Sequence, residues 1–280
     1  MLATQKSGFL LSIVIFISSL VFGQESKFKG IVYNEKGMAI PWVNIGIKNK
    51  NLGTTSTEDG VFELKISSDF REETIVFSSV GYEDLNLPVN ELTDLTNKIV
   101  LKSKITQLNE VVISNKKSRK VTLGTRGYTP LMWVSVSLKD NDSYVENGKL
   151  IHVKKPAKLL NANVSVGKLK DGKDSVSYRL NFYKVKNGYP GERLFEKSII
   201  QTFSNAVSRV TINLEKYNMY VDEDFVVSFE LLRRKANLKT ERVSFRANIT
   251  AGDGFFRDVS NGSWRPMKGG SGAIYVQVMQ

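Results

Sequence analysis

Three places in the 280-residue chain carry side chains suited to chemistry. His152, in Ile151-His-Val-Lys-Lys155, is the single histidine. Asp222-Glu-Asp224 sets three acids in a row, and Gly53-Thr-Thr-Ser-Thr-Glu-Asp-Gly60 places hydroxyls and two acids ahead of a glycine. A zinc peptidase draws imidazoles and a carboxylate from motifs such as His-x-x-Glu, and His152 has no acid three or four residues away. A Ser-His-Asp arrangement would need the same His152, and no Gly-x-Ser-x-Gly turn leads into a helix. Asp222 and its neighbours could supply paired carboxylates for glycoside hydrolysis, but such a pair must sit about 5 to 9 Å apart across a cleft, and adjacent acids in a turn are ordinarily solvated. Cysteine is absent, which removes thiol catalysis, thiolate metal sites and an acylated cysteine anchor. The residues therefore predict no catalytic group, metal or cofactor. A glycan- or peptide-hydrolysing enzyme is the weaker alternative.

The hydroxyl-rich loop narrows by elimination. A phosphate cradle would place a lysine directly after the last glycine and a helix beyond it. A calcium loop would offer several oxygen ligands at fixed spacing, where Glu58 and Asp59 give two adjacent acids. Val61 instead opens a strand in which Phe62, Leu64 and Ile66 face away from Glu63 and Lys65, and Val43, Ile45 and Ile47 precede the loop in the same pattern. Asp59-Gly60 then reads as a hairpin turn, with glycine taking the positive φ.

The elements around these residues are strands. Period-two alternation recurs in Val176/Tyr178/Leu180/Phe182 with Ser177, Arg179 and Asn181 opposite. It returns in Val210/Ile212/Leu214, Phe225/Val227/Phe229/Leu231, Val243/Phe245/Ala247/Ile249 and Ile274/Val276/Val278. No helical period runs past three turns. Short strands separated by Gly, Asn and Asp turns predict an all-β protein built from antiparallel sandwiches. Polar and basic residues around Val111 to Ile113 read as a linker over 104–120, which divides the chain into a domain at 25–103 and another at 121–280.

The first 23 residues have the layout of a signal peptide: Lys6, then an almost uncharged apolar run from Phe9 to Phe22. That run is shorter than the roughly 20 residues a spanning helix needs, so cleavage between Gly23 and Gln24 is expected over a retained anchor. No later stretch is long and apolar enough to cross as a helix. The expected location is the periplasm, the outer membrane or the cell surface. The formal net charge of +12 suits acidic partners such as polyanionic glycans or lipid headgroups, and equally the ordinary solubilising charge of a lysine-rich surface, over which these charges are scattered. The basic clusters Asn115-Lys-Lys-Ser-Arg-Lys120 and Arg233-Arg-Lys235 lack interleaved aromatics, which argues against nucleic acid.

Gly30-Ile-Val32, Asn34-Glu-Lys-Gly37, Ile40-Pro41, Val43-Asn-Ile45, Gly53-Thr-Thr55, Asp59-Gly60-Val-Phe62 and Ile75-Val-Phe-Ser-Ser-Val-Gly81-Tyr82 follow one another in order. This series resembles the carboxypeptidase-like regulatory domain, which implies a transthyretin-like sandwich of seven strands in an exported gram-negative protein. The resemblance covers residues 27 to 103 and implies no catalytic residues of its own. Thr57 departs from the Asp or Asn frequent in that pattern, and a hydroxyl turn can replace the missing bond. Gln107-Leu-Asn-Glu-Val-Val-Ile113 resembles the segment after this domain in starch-utilisation-type TonB-dependent receptors. The residues that follow are too few for a receptor barrel, so an accessory role beside such a receptor is the second expectation. Tyr183-Lys-Val-Lys-Asn-Gly-Tyr-Pro-Gly191, Leu214-Glu-Lys-Tyr-Asn218 and Val221-Asp-Glu-Asp-Phe225 are similar to jelly-roll-like companion domains, which implies a fold and no activity.

Binding is what these readings leave. Trp42 falls on the strand face opposite Val43 and Ile45, Trp133 stands near the start of the second domain, and Trp264 closes the run from Phe255. Tryptophans anchor interfaces when exposed and otherwise pack in cores. The sequence thus predicts a non-catalytic envelope protein that binds or scaffolds, with Trp42, Trp133 and Trp264 as candidate anchors for an envelope protein or an acidic glycan.

Overall fold

The computed structural model describes residues 25–48, 50–93, 95–104, 118–137, 144–168, 175–232, 242–249 and 253–280. The signal segment with its expected cut at Gly23/Gln24, the linker motif Gln107 to Ile113 and the cluster Arg233 to Lys235 lie outside them. The described chain is almost wholly β, and its apolar side chains gather in two separate sandwich cores.

In the first sandwich, β1 (Glu25–Asn34) lies between β4 (Val61–Ser67) and β7 (Thr96–Leu101). The facing sheet runs β3 (Leu52–Thr55), β2 (Asn44–Ile47), β5 (Thr74–Ser78), β6 (Leu85–Pro88). These are the seven strands the resemblance implies. Phe62 and Phe77 meet edge to face at 5.5 Å between them. One pair departs from the antiparallel expectation: β1 and β7 run parallel. Parallel neighbours need a long crossover, and here the other sheet supplies it.

The hydroxyl-rich loop also differs from a hairpin. Gly53, Thr54 and Thr55 belong to β3, and only Thr57 to Gly60 turn. Gly60 takes φ +76°, as expected for Asp-Gly, but β3 and β4 lie in opposite sheets, so the turn is a corner between layers. The Thr57 hydroxyl accepts the Val61 N–H at 3.3 Å, the bond anticipated for a hydroxyl at that position.

The second sandwich faces two sheets. One runs β13 (Tyr189–Arg193), β12 (Ser175–Lys186), β17 (Phe225–Leu232), β10 (Val145–Ile151), β19 (Gly254–Arg257), β20 (Arg265–Pro266), with β14 (Ile199–Ser204) also on β12. The other runs β15 (Arg209–Asn213), β11 (Ala157–Ser165), β22 (Ile274–Met279), β8 (Lys120–Gly124), with β16 (Tyr220–Val221) on β11. A small sheet of β21 (Ser271–Gly272), β18 (Arg242–Asn248) and β9 (Trp133–Ser137) flanks them. The alternating residues Tyr178, Leu180, Phe182, Phe225, Val227 and Phe229 fill the core against Ile212, Val276 and Val278. Ile249 departs from the pattern: β18 ends at Asn248, and the side chain that alternation turned inward is 67% exposed.

Every residue of β17 is buried, although only alternate ones reach that core. The outer face of this sheet is covered too, and it carries charge.

Candidate functional site

Across four neighbouring strands the register aligns Arg179, Glu230, Glu146 and Arg257 in one row. All four are buried. Two carboxylates directly opposite each other repel, and in a low-dielectric interior that repulsion is severe. The flanking guanidiniums answer it. Arg257 donates to Glu146 Oε2 from Nε at 2.7 Å and from Nη2 at 2.5 Å, and Arg179 Nη1 reaches both oxygens of Glu230 at 3.2 Å. Asn181 ties the acids together, donating from Nδ2 to Glu146 Oε1 at 2.9 Å and to Glu230 Oε2 at 3.0 Å, while its carbonyl accepts Arg193 Nη1 at 2.7 Å.

Glu146 also accepts the hydroxyls of Tyr144 at 2.9 Å, Tyr183 at 2.8 Å and Ser228 at 2.5 Å. Burial alone pushes its carboxyl up, but Arg257, the Ser228 hydroxyl and Arg193 together outweigh this and bring it down to about 2. Burial pushes the Tyr183 and Tyr144 phenols up, so both stay protonated as donors. A carboxylate with no solvent contact and so low a proton affinity cannot serve as a general acid near neutral pH. The row is a clamp.

The clamp reaches the first sandwich. Arg179 Nη2 donates to the Trp42 carbonyl, which sits in the turn before β2 with Trp42 at φ +51°. Asn261 donates to the carbonyls of Asn44 at 3.4 Å and Val76 at 3.2 Å, and its Oδ1 accepts the Ser78 hydroxyl at 3.2 Å. The backbone of the same loop packs so closely on β2 that a Cβ on Gly46 would stand 2.7 Å from the Ser260 carbonyl. At the rim, Lys104 Nζ meets Glu196 Oε1 at 2.7 Å.

The sequence candidates fall elsewhere. His152 Nδ1 bonds Asp224 Oδ2 at 2.7 Å, a partner 72 residues away that local spacing could not reveal, and its side chain is 61% exposed. Asp224 also accepts the Val153 N–H at 2.8 Å, so it caps a turn, while Asp222 and Glu223 face solvent. Among the described residues no group of three His, Cys, Asp or Glu is placed to hold a metal. A cavity of about 370 Å³ opens in the first sandwich, lined by Ser26, Phe28, Ile66, Ser67, Arg71 and Asn90.

The three tryptophans part company. Trp42 is half-buried at the seam. Trp264 roofs the charged row, its ring 4.6 Å from the Arg257 guanidinium and edge to face with Tyr183 at 5.5 Å. Trp133 is 49% exposed. Sequence reasoning missed Glu146, Glu230, Arg179 and Arg257. The available signal was the mixed outer face of β17, where Val226 and Leu232 flank Ser228 and Glu230.

Residues 28–113 match the family described as CarboxypepD_reg-like domain. The TonB-dependent receptor SusC of Bacteroides thetaiotaomicron is 32% identical over 99 residues, which are 35% of this chain and 9% of the receptor. The TonB-dependent receptor P39 of Formosa agariphila is 29% identical over 112 residues, 38% of this chain and 10% of the receptor. The chain spans about a tenth of the length of the curated relatives it matches. The clostridial cysteine protease Cwp84 after propeptide cleavage aligns over 92% of this chain and 65% of its own, at 9% identity and a TM-score of 0.41, a likeness too slight to carry an argument. Among the described residues no helix is long and apolar enough to cross a membrane.

Proposed function

We propose that this chain, with its CarboxypepD_reg-like domain at residues 28–113, is an exported cell-envelope protein that binds or scaffolds and performs no catalysis. One observation carries the reading: the four charged side chains buried in a row in the second sandwich are all engaged in internal pairs, and one of them, Arg179, also holds the Trp42 carbonyl of the first. Trp42 lies at the seam between the sandwiches, and Trp264 packs on the Arg257 guanidinium and the Tyr183 ring within the second. Trp133 remains as the exposed anchor, and the excess of basic side chains steers acidic partners toward it. Retention of the chain from Gln24 onward by envelope proteins or acidic polysaccharides, lost in Trp133→Ala, is the expected result. Hydrolysis of a peptide or glycan that disappears in His152→Ala or Asp222→Ala would refute it.

The matches to SusC and P39 favour a second reading, an accessory subunit of a TonB-dependent uptake system in the periplasm or at the outer membrane. Copurification with such a receptor from native membranes supports it. A monodisperse monomer from the same membranes refutes it.

A further inference from the structure

Nine large apolar side chains stand exposed among the described residues, and four of them, Tyr128, Leu131, Trp133 and Ile249, arise from two segments that meet at one end of β18. Scattered exposed apolar groups are ordinary, whereas a cluster marks an interaction surface. The segment Gly127 to Met132 is stitched to that strand end. Thr129 N–H donates to the Ala247 carbonyl at 2.9 Å, Ala247 N–H to Met132 at 3.0 Å, and Ile249 N–H to the Thr129 hydroxyl at 3.1 Å. These bonds hold the segment against the strand end.

Leu131 is 84% exposed and sits at φ +62°. The Met132 N–H bonds back to the Thr129 carbonyl, so Pro130 and Leu131 are the central residues of a turn whose third position favours glycine at positive φ. A bulky apolar residue held there, in water, satisfies neither local conformation nor solvation. Such an outlier points to a role for the side chain itself.

We infer that Leu131 and Ile249 insert into the headgroup boundary of a lipid bilayer carrying anionic headgroups, with Trp133 and Tyr128 at the interface and Arg246 and Lys268 on its phosphates. Arg246 lies directly opposite Trp133, and its guanidinium stands 4.8 Å from the Tyr128 ring and 5.7 Å from the Trp133 ring. The turn carrying Lys268 packs beside Met132, where a Cβ on Gly270 would meet the methionine methyl. Arg126 is exposed in the same segment. Residues 118–137, 242–249 and 265–272 contain no Asp or Glu, and among the described residues Asp253 pairs with Lys149 and Asp258 with Arg265. Aliphatic tips with aromatic residues and cations behind them are what an interfacial lipid contact requires. A sugar fits less well, because Arg246 already lies over the two rings and the aliphatic tips offer hydroxyls no partner.

The inference rests on the envelope reading for the presence of a membrane, and its test is separate. The chain from Gln24 onward contains every described strand and lacks the apolar leader. It is sedimented with vesicles of phosphatidylethanolamine and phosphatidylglycerol, and with phosphatidylcholine alone. Binding to the anionic vesicles is expected to weaken with added salt and to fall at least about tenfold in Leu131→Gly. Glycine suits the turn, so that variant keeps its fold. Ile249→Asp is expected to act alike. No binding, binding indifferent to headgroup charge, or binding unchanged in both variants overturns the inference. So does self-association that Leu131→Gly abolishes in the absence of vesicles. If vesicles fail while envelope proteins are still retained through Trp133, the membrane inference falls and the binding reading stands.

Discussion

Replacing Arg257 with methionine removes the cation from the most heavily bonded carboxylate among the described residues while keeping much of its volume. Glu146 would retain Tyr144, Tyr183, Ser228 and Asn181 as donors but lose both charge-assisted bonds to Oε2. Stranding one member of a buried pair costs about 3–5 kcal/mol. At about 2–4 °C per kcal/mol for a unit of this size, the melting temperature should fall by roughly 6–20 °C. The pH response supplies an independent check. In the native protein the Glu146 carboxyl is held at about 2, below its ordinary 4.5. A depressed carboxyl contributes stability that is full above about 4.5 and lost as pH falls toward 2, in total roughly 3 kcal/mol. Without Arg257, burial is opposed only by neutral donors and the more distant Arg193, so the carboxyl rises and the variant's deficit is largest at pH 7 and shrinks on acidification. Calorimetry at pH 7 and at about pH 3, inside the window between 4.5 and 2, on the native chain, Arg257→Met, Glu146→Gln and the double variant measures both effects. The double variant should be less damaged than the sum of the singles, because neither charge is stranded. A single-variant cost below about 1 kcal/mol, or a deficit unchanged with pH, would refute the buried-pair reasoning.

Three further outcomes follow from the seam and the surface. Gly46→Ala places a methyl 2.7 Å from both the Ser260 carbonyl across the seam and the Leu52 carbonyl within the first sandwich, and should destabilise that sandwich together with the seam, read as a lower melting temperature and faster tryptic cleavage. Asn261→Ala leaves the Asn44 and Val76 carbonyls without their side-chain donor and should cost about 1–3 kcal/mol, splitting a shared unfolding transition into two. His152→Ala removes an exposed hydrogen bond to Asp224 and should change stability by less than about 1 kcal/mol, measured by denaturant titration.

Much of the architecture was legible locally. Val176, Tyr178, Leu180 and Phe182 alternate, and all four are in the core. Gly60 takes the positive φ that Asp59-Gly60 calls for. The errors share a cause. Alternation says that two faces differ but not what covers the second one, so Arg179 and Glu230, which read as the polar side of a half-buried strand, are buried beneath other elements. The turn at Asp59-Gly60 is where the sequence places it, but turn chemistry fixes only the local bend and not which sheet the next strand joins. His152 lacked an acid by local spacing, yet Asp224 arrives from across the sheet.

The sequence by itself determined strand periodicity, turn positions and the scarcity of imidazole and thiol, since each depends on residues within a few positions of one another. Only the tertiary structure decided that Arg179, Glu230, Glu146 and Arg257 form one row, because pairing register brings together residues as far apart as Glu146 and Arg257. It also decided their state. Whether a charge is solvated or must be neutralised in place depends on what packs over it, and here that covering includes the turn at Trp42, whose carbonyl Arg179 holds.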